Sequence, residues 1–163
     1  MMQALLTYFD GIASLKGGAR VRRGAAIILI MWLPAFAINF LVMQYLPVDE
    51  VESILHSPGE IFLAITFYPL VETYVMRLGL FLLRKIITDT VMVCVISAIG
   101  WGSLHFVRYW GIYVIWPFFV MSYCYLRLEK KSILQAMIVS TLIHSAANAY
   151  ATLVALVIGY FQS

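Results

Sequence analysis

The chain has 163 residues, of which 63% are hydrophobic and only 12% are charged, and its formal net charge is +3. Soluble globular proteins average roughly 45–50% apolar and ~25% charged residues. Together with a mean hydropathy of +0.93, this composition excludes an ordinary soluble protein and predicts an integral membrane protein. No stretch outside the apolar runs is long enough for a separate soluble core, so we predict a single membrane domain over residues 1–163. The lipid bilayer is an expected partner, and nucleic acid is not.

Residues 1–23 are predicted to form an N-terminal interfacial and basic segment. Apolar residues recur at helical spacing up to residue 15, which is typical of a short helix lying in the membrane interface, although a frayed tail fits the same pattern. The start does not resemble a cleaved signal, because its basic cluster follows the apolar residues. Cys94 and Cys124 lie inside apolar runs, so a disulfide framework is not expected.

Five apolar segments are predicted to cross the bilayer as helices, which gives an all-α polytopic membrane bundle. An accessory helix over 24–46 comes first, and a polar loop with His56 follows it. Three helix starts carry N-cap signals: Ser57-Pro58-Gly59-Glu60, Thr88-Asp89, and Ser132 with Gln135. The remaining crossings are predicted at 61–83, at 90–107, at 112–126, and from 132 to about 161.

The basic residues alternate with these crossings as the positive-inside rule requires. With the N-terminus in the cytoplasm, the outer segments contain only Arg108. The inner segments contain Lys16, Arg20, Arg22, Arg23, Arg84, Lys85, Arg127, Lys130 and Lys131. The charges therefore favour five crossings, with the C-terminus outside the cell.

Three of the crossings contain polar side chains that a lipid-facing helix would not favour. Glu72 and Arg77 lie near the middle of the second crossing, where an ionisable group costs at least ~2.5–3.5 kcal/mol, so each is a candidate functional residue. The fourth crossing has almost no polar residues and is interpreted as scaffold. The polar groups are Glu72, Thr73 and Arg77 in the second crossing, Trp101, Ser103 and His105 in the third, and His144, Ser145 and Asn148 in the fifth.

These groups are predicted to lie at similar depths. At ~1.5 Å per residue, Glu72 and His144 lie about 18 Å from the inner ends of their helices, and His105 and Asn148 lie about 24 Å in. His144 and Asn148 are four residues apart and share a helix face, as do Trp101 and His105. Glu72 and Arg77 are about 140° apart around their helix and need not pair.

A carboxylate, two imidazoles and a carboxamide around one water are sufficient for peptide-bond hydrolysis. Glu72 can take a proton from water, and His105 can share that water and protonate the leaving amine. His144 and Asn148 can donate to an oxyanion. Zinc is an alternative for two histidines and a glutamate, although HExxH spacing is absent. Neither a serine nucleophile (Ser103 or Ser145) nor a purely structural role in helix bundling is excluded.

The order Glu72-Thr73-x-x-x-Arg77, Trp101-x-x-x-His105, His144-x-x-x-Asn148 resembles the three motifs of the CPBP (Abi) intramembrane proteases, which include the prenyl-CAAX endoproteases. The family pattern is EExxxR, FxxxH and HxxxN or HxxxD on three of four core helices, with a motif-free helix before the last. It matches a four-helix core at 61–161.

The resemblance implies that Glu72 is the general base working with His105, and that His144 and Asn148 stabilise the oxyanion without a metal or other cofactor. It implies a positioning role for Arg77. Thr73 replaces the second glutamate of the family pattern, and Trp101 replaces its phenylalanine.

Three functional hypotheses follow from these residues. An endopeptidase in a prokaryotic cell membrane, acting on a membrane-associated peptide or protein, is expected first. A non-catalytic peptide-binding or immunity protein with the same fold is the alternative, and the replacement of the second glutamate by Thr73 favours it. A small transporter or channel ranks last, because the repeat halves and paired broken helices of many transporters are not visible.

Overall fold

The computed structural model describes residues 57–105 and 110–162, together with Thr7 and several positions between 26 and 37. Every described element is a helix, which confirms the all-α prediction. Most of the predicted interfacial segment, the loop with His56, and Arg108 lie outside the described residues. Five helices have their bounds within the described residues: α1 (Pro58–Ile65), α2 (Phe67–Leu83), α3 (Thr90–Leu104), α4 (Trp110–Glu129) and α5 (Ile133–Gln162).

Three of the helix starts are fixed by the caps that the sequence predicts. The Ser57 hydroxyl accepts a hydrogen bond from the backbone N–H of Glu60, and the Glu60 carboxylate accepts one from the backbone N–H of Ser57 at 2.9 Å. The side chains of Asp89 and Ser132 each accept a hydrogen bond from the backbone N–H three residues later, at 2.7 and 3.3 Å. These bonds satisfy donors that have no partner within a helix.

The second apolar segment is interrupted, whereas the pattern predicts one continuous helix over 61–83. Its first part, α1, ends at Ile65, and α2 begins after a single turn residue, Thr66, with φ −113° and ψ −64°. Pro69 lies four residues after Ile65 and has no N–H to donate to the Ile65 carbonyl. The proline therefore weakens the backbone ladder at the point where the helix breaks.

The next two helices differ from prediction at their ends. The third ends at Leu104, with His105 as its C-cap, whereas the sequence predicts a helix to 107. Its 15 residues span only about 22 Å at 1.5 Å per residue, less than the ~30 Å of a bilayer core. The fourth helix extends beyond both predicted ends and occupies Trp110–Glu129.

The hydrophobic core lies around α4, which packs against both α3 and α5. A buried hydrogen bond of 3.3 Å joins the hydroxyls of Ser97 and Ser122 between α3 and α4. The described positions between 26 and 37 are helical, and among them Ile27 and Met31 are buried in this core. The indole N–H of Trp116 donates to the Ile30 carbonyl at 2.9 Å, so the accessory helix packs on the bundle.

An ion pair between Arg84 and Glu129 connects the carboxyl ends of α2 and α4. Because both residues are at the ends of their helices, the two helices run in the same direction. That is the arrangement expected when a single antiparallel helix, α3, separates them.

The outer face of α2 is a stripe of exposed apolar side chains. Its members are Phe67, Leu70, Val71, Tyr74, Val75, Leu78, Phe81 and Leu82. Within the described residues, one helical stretch, Pro58–Leu83, is long and apolar enough to span a membrane, and only 17% of its most apolar window is buried. A core helix of a soluble protein would be mostly buried, so this stretch favours membrane association. The count of five crossings stays a prediction.

Candidate functional site

The central contact of the site joins Glu72 on α2 to His144 on α5. The His144 Nε2 atom lies 3.3 Å from the Glu72 Oε2 atom, and the two side chains are 8% and 26% exposed. The two residues were predicted at the same depth from opposite helix directions, and they meet. The imidazole is enclosed while the carboxylate remains accessible, so water or a substrate can reach the carboxylate.

His105 lies at the C-cap of α3, next to this pair. Its Nδ1 atom is 2.9 Å from the Trp101 carbonyl oxygen. A carbonyl only accepts, so Nδ1 carries the hydrogen and the Nε2 of the neutral ring keeps its lone pair. His105 interacts electrostatically with both Glu72 and His144. No hydrogen bond or ion pair joins His105 to Glu72 in the described part of the chain, so the pair and His105 are neighbours without direct bonding.

Two aromatic rings pack against the imidazoles at this site. The Trp101 ring centroid lies 5.8 Å from that of His105, as their spacing predicts. Phe118 on α4 stacks on Trp101 with centroids 4.6 Å apart and 10° between the ring planes. Phe118 also contacts His105 at 5.7 Å and His144 at 5.4 Å. Sequence reasoning missed Phe118, because nothing distinguishes a phenylalanine in an apolar helix from ordinary core packing.

Asn148 is directed towards the helix break. Its side-chain Nδ2 donates a hydrogen bond of 2.7 Å to the carbonyl of Ala64. That carbonyl belongs to the last turn of α1, where carbonyls lack partners within the helix. The carboxamide therefore bridges α5 and the broken helix. A carboxamide has two N–H donors, so one remains for another acceptor.

Arg77 and Thr73 do not join the Glu72–His144 pair. Arg77 lies about 140° from Glu72 around the helix, close enough to Tyr125 on α4 to interact with it electrostatically, but no hydrogen bond joins the two residues in the described part of the chain. Thr73 is fully buried, and its hydroxyl has no hydrogen-bond partner among the described residues. At this position the family pattern has a glutamate, and here the position faces packed side chains.

The serine and metal alternatives can be compared with the geometry of the described residues. The Ser103 hydroxyl donates to the Ile99 carbonyl at 2.9 Å, and no base is hydrogen-bonded to Ser103 or Ser145 there. Within the same residues, no group of three or more His, Cys, Asp or Glu side chains has the geometry to hold a metal ion. The arrangement thus consists of an accessible carboxylate, a buried imidazole in contact with it, and a second imidazole nearby.

Comparisons of this chain with protein-family models, with curated proteins and with solved structures find no match.

Proposed function

We propose that this protein is an intramembrane endopeptidase of the CPBP type, which hydrolyses a peptide bond of a membrane-associated peptide or protein. The observation that carries the proposal is the contact between Glu72 and His144, on separate helices, with the carboxylate left accessible. The order and spacing of the motif residues supports the same assignment.

The proposed setting is a prokaryotic cell membrane. Five crossings place the N-terminus in the cytoplasm and the C-terminus outside, as the distribution of basic residues indicates. The exposed apolar stripe on α2 supports this setting, because monomeric soluble proteins rarely expose large contiguous apolar patches. The four-helix core of 61–161 then corresponds to α1–α2 as one interrupted crossing, followed by α3, α4 and α5.

Catalysis begins with a water held at the accessible oxygen of Glu72. The carboxylate takes one proton from this water as the hydroxide oxygen attacks the carbonyl carbon of the substrate, a role worth ~10²–10⁴-fold in rate. The tetrahedral oxyanion is stabilised by donors from His144 and from the second N–H of Asn148. When the C–N bond breaks, the amine takes up the proton, delivered through Glu72 or His105. One water is consumed, and only side chains of the chain take part.

The positions of the supporting residues fit this scheme. The bond to the Trp101 carbonyl fixes the tautomer of His105 and leaves its Nε2 to accept a hydrogen bond from the water. Arg77 interacts electrostatically with Tyr125 on α4 and forms no ion pair with Glu72 among the described residues, so its proposed positioning role is indirect.

The test compares new peptide termini in membrane fractions of cells that produce the wild-type protein or Glu72→Gln. Glutamine keeps the shape and polarity but cannot accept the proton, so termini generated by the wild type should fall by at least ~10²-fold. Glu60→Gln is the matched control: it makes the same chemical change in the capping box of α1, where glutamine is also favoured. It should cleave like the wild type.

Each variant must be present in the membrane in an equal amount, so that a loss of cleavage reflects a loss of catalysis and not a loss of protein. If Glu72→Gln generated the same termini as the wild type, Glu72 would not be the general base and the proposal would be wrong.

A second candidate function is non-catalytic peptide binding or immunity. The bond from Asn148 to Ala64 favours it, since this carboxamide already has a structural partner. In that case Glu72→Gln would leave the protective phenotype intact, and no new termini would depend on the wild-type protein.

A further inference from the structure

The helix that the sequence assigns to scaffold contributes a residue to the site. Phe118 of α4 is only 3% exposed, and its ring contacts both imidazoles. The adjacent Phe119 is equally apolar and 5% exposed, but it stacks on Trp116 and Tyr123. Among neighbouring core residues, Phe118 therefore has a distinct environment.

The Phe118 ring is itself held firmly. It stacks nearly parallel on Trp101, and Trp101 lies one helical turn before His105. The Phe118 ring also contacts His144 edge to face, with 81° between the ring planes, and His105 with 42° between the ring planes. Aromatic pairs favour such offset and edge-to-face geometries. A planar ring in this position restricts rotation of both imidazoles about their last side-chain torsion, which is otherwise broad.

We propose that Phe118 is a positioning residue, which sets the orientation of the His105 and His144 rings relative to Glu72. The proposal rests on the endopeptidase function for its catalytic consequence, but the orientation of the rings can be measured without any substrate. Phe118 itself touches no reacting atom. It acts through the two imidazoles, because their nitrogen atoms must face the water and the carboxylate at the same time.

The structural half of the test uses Phe118→Leu in lipid nanodiscs, with ¹³C-labelled histidine. The chain has three histidines. Variants in which one histidine at a time is replaced by glutamine assign each imidazole signal to its residue. Leucine keeps an apolar side chain but removes the ring, so the imidazole signals of His105 and His144 should both shift. Phe119→Leu is the matched control and should leave both signals in place. If Phe118→Leu does not fold, Phe118→Met takes its place in the test, because the flexible methionine side chain fills irregular gaps.

The catalytic half uses a synthetic peptide that spans the cleavage site found by the comparison of termini. Misplaced catalytic groups lower the rate of the chemical step by up to ~10²-fold. Phe118→Leu should therefore lower kcat by roughly 10- to 100-fold with little change in KM, while Phe119→Leu keeps both values.

Two results would overturn the proposal: unchanged imidazole signals in Phe118→Leu and Phe118→Met, or wild-type kcat in a variant whose signals shift. Failure of the proposed function is recognised separately, since it appears as wild-type protein that yields no Glu72-dependent termini.

Discussion

Replacing Asn148 by leucine removes a side-chain hydrogen bond between α5 and the interrupted helix. Leucine has the same number and branching of side-chain heavy atoms and is a good helix former, so the change mainly deletes the donor to the Ala64 carbonyl. The bond is short, at 2.7 Å, and it lies at the helix break. There the neighbouring Ile65 carbonyl has no helical donor, because the residue four positions later is Pro69, which lacks an N–H.

The expected loss in the free energy of unfolding is about 1–2 kcal/mol. Side-chain hydrogen bonds between membrane helices average ~0.6 kcal/mol and reach ~1.7 kcal/mol. The loss lies at the upper end because the bond is short, and removing one partner of a buried hydrogen bond costs ~1–3 kcal/mol. Partial exposure of Asn148 keeps the loss below the top of that second range.

Unfolding of the purified protein in mixed detergent and SDS micelles, followed by circular dichroism, measures this difference. Thr152→Val is the control: Thr152 donates to the Asn148 backbone carbonyl within α5 at 2.8 Å, a local bond that joins no second helix. Its loss should stay below ~0.5 kcal/mol. If Asn148→Leu unfolded like the wild type, within ~0.3 kcal/mol, the contact with Ala64 would not hold the helices together.

Three further predictions concern stability in the same assay. Thr73→Val should leave the free energy of unfolding unchanged or raise it by up to ~1 kcal/mol, because it removes a buried hydroxyl that has no partner in the described part of the chain. A loss above ~1 kcal/mol would show that the hydroxyl is bonded. Thr73→Glu, which introduces the glutamate that the CPBP pattern has at this position, should prevent stable folding, since it buries an unpaired charge. A double-mutant cycle of Arg84→Gln and Glu129→Gln should give a coupling of ~0.2–1 kcal/mol that weakens in 1 M salt, and zero coupling at low salt would contradict the ion pair.

Local rules were enough to predict that these segments are helical and where three of the helices begin. Ser57, Asp89 and Ser132 act as caps because a cap depends on the next three residues only. The helix ends were harder to predict. The third helix, α3, ends at Leu104, although the sequence has no strong helix-stop signal before residue 107. The helix break at Thr66 has a local cause in Pro69, but whether a proline bends or interrupts a helix depends on the partners that its freed carbonyls find.

Equal depth was the part of the site that could be predicted from the sequence. Counting residues from the helix ends placed Glu72 level with His144, and these two side chains meet. The same counting placed Asn148 at the depth of His105, yet its amide donates to Ala64. Equal depth limits which side chains can come into contact, but it does not determine which acceptor a given donor binds.

The sequence by itself determined the all-α class, the apolar helix that can span a membrane, and the motif residues on their helix faces, because composition, caps and helical period are properties of short stretches. Only the tertiary structure decided that Glu72 contacts His144, that Asn148 bridges to the broken helix, and that Phe118 lies against both imidazoles. The physical reason is that helical period fixes which residues share one face, whereas the rotation of each helix against its neighbours is set by packing across the whole bundle.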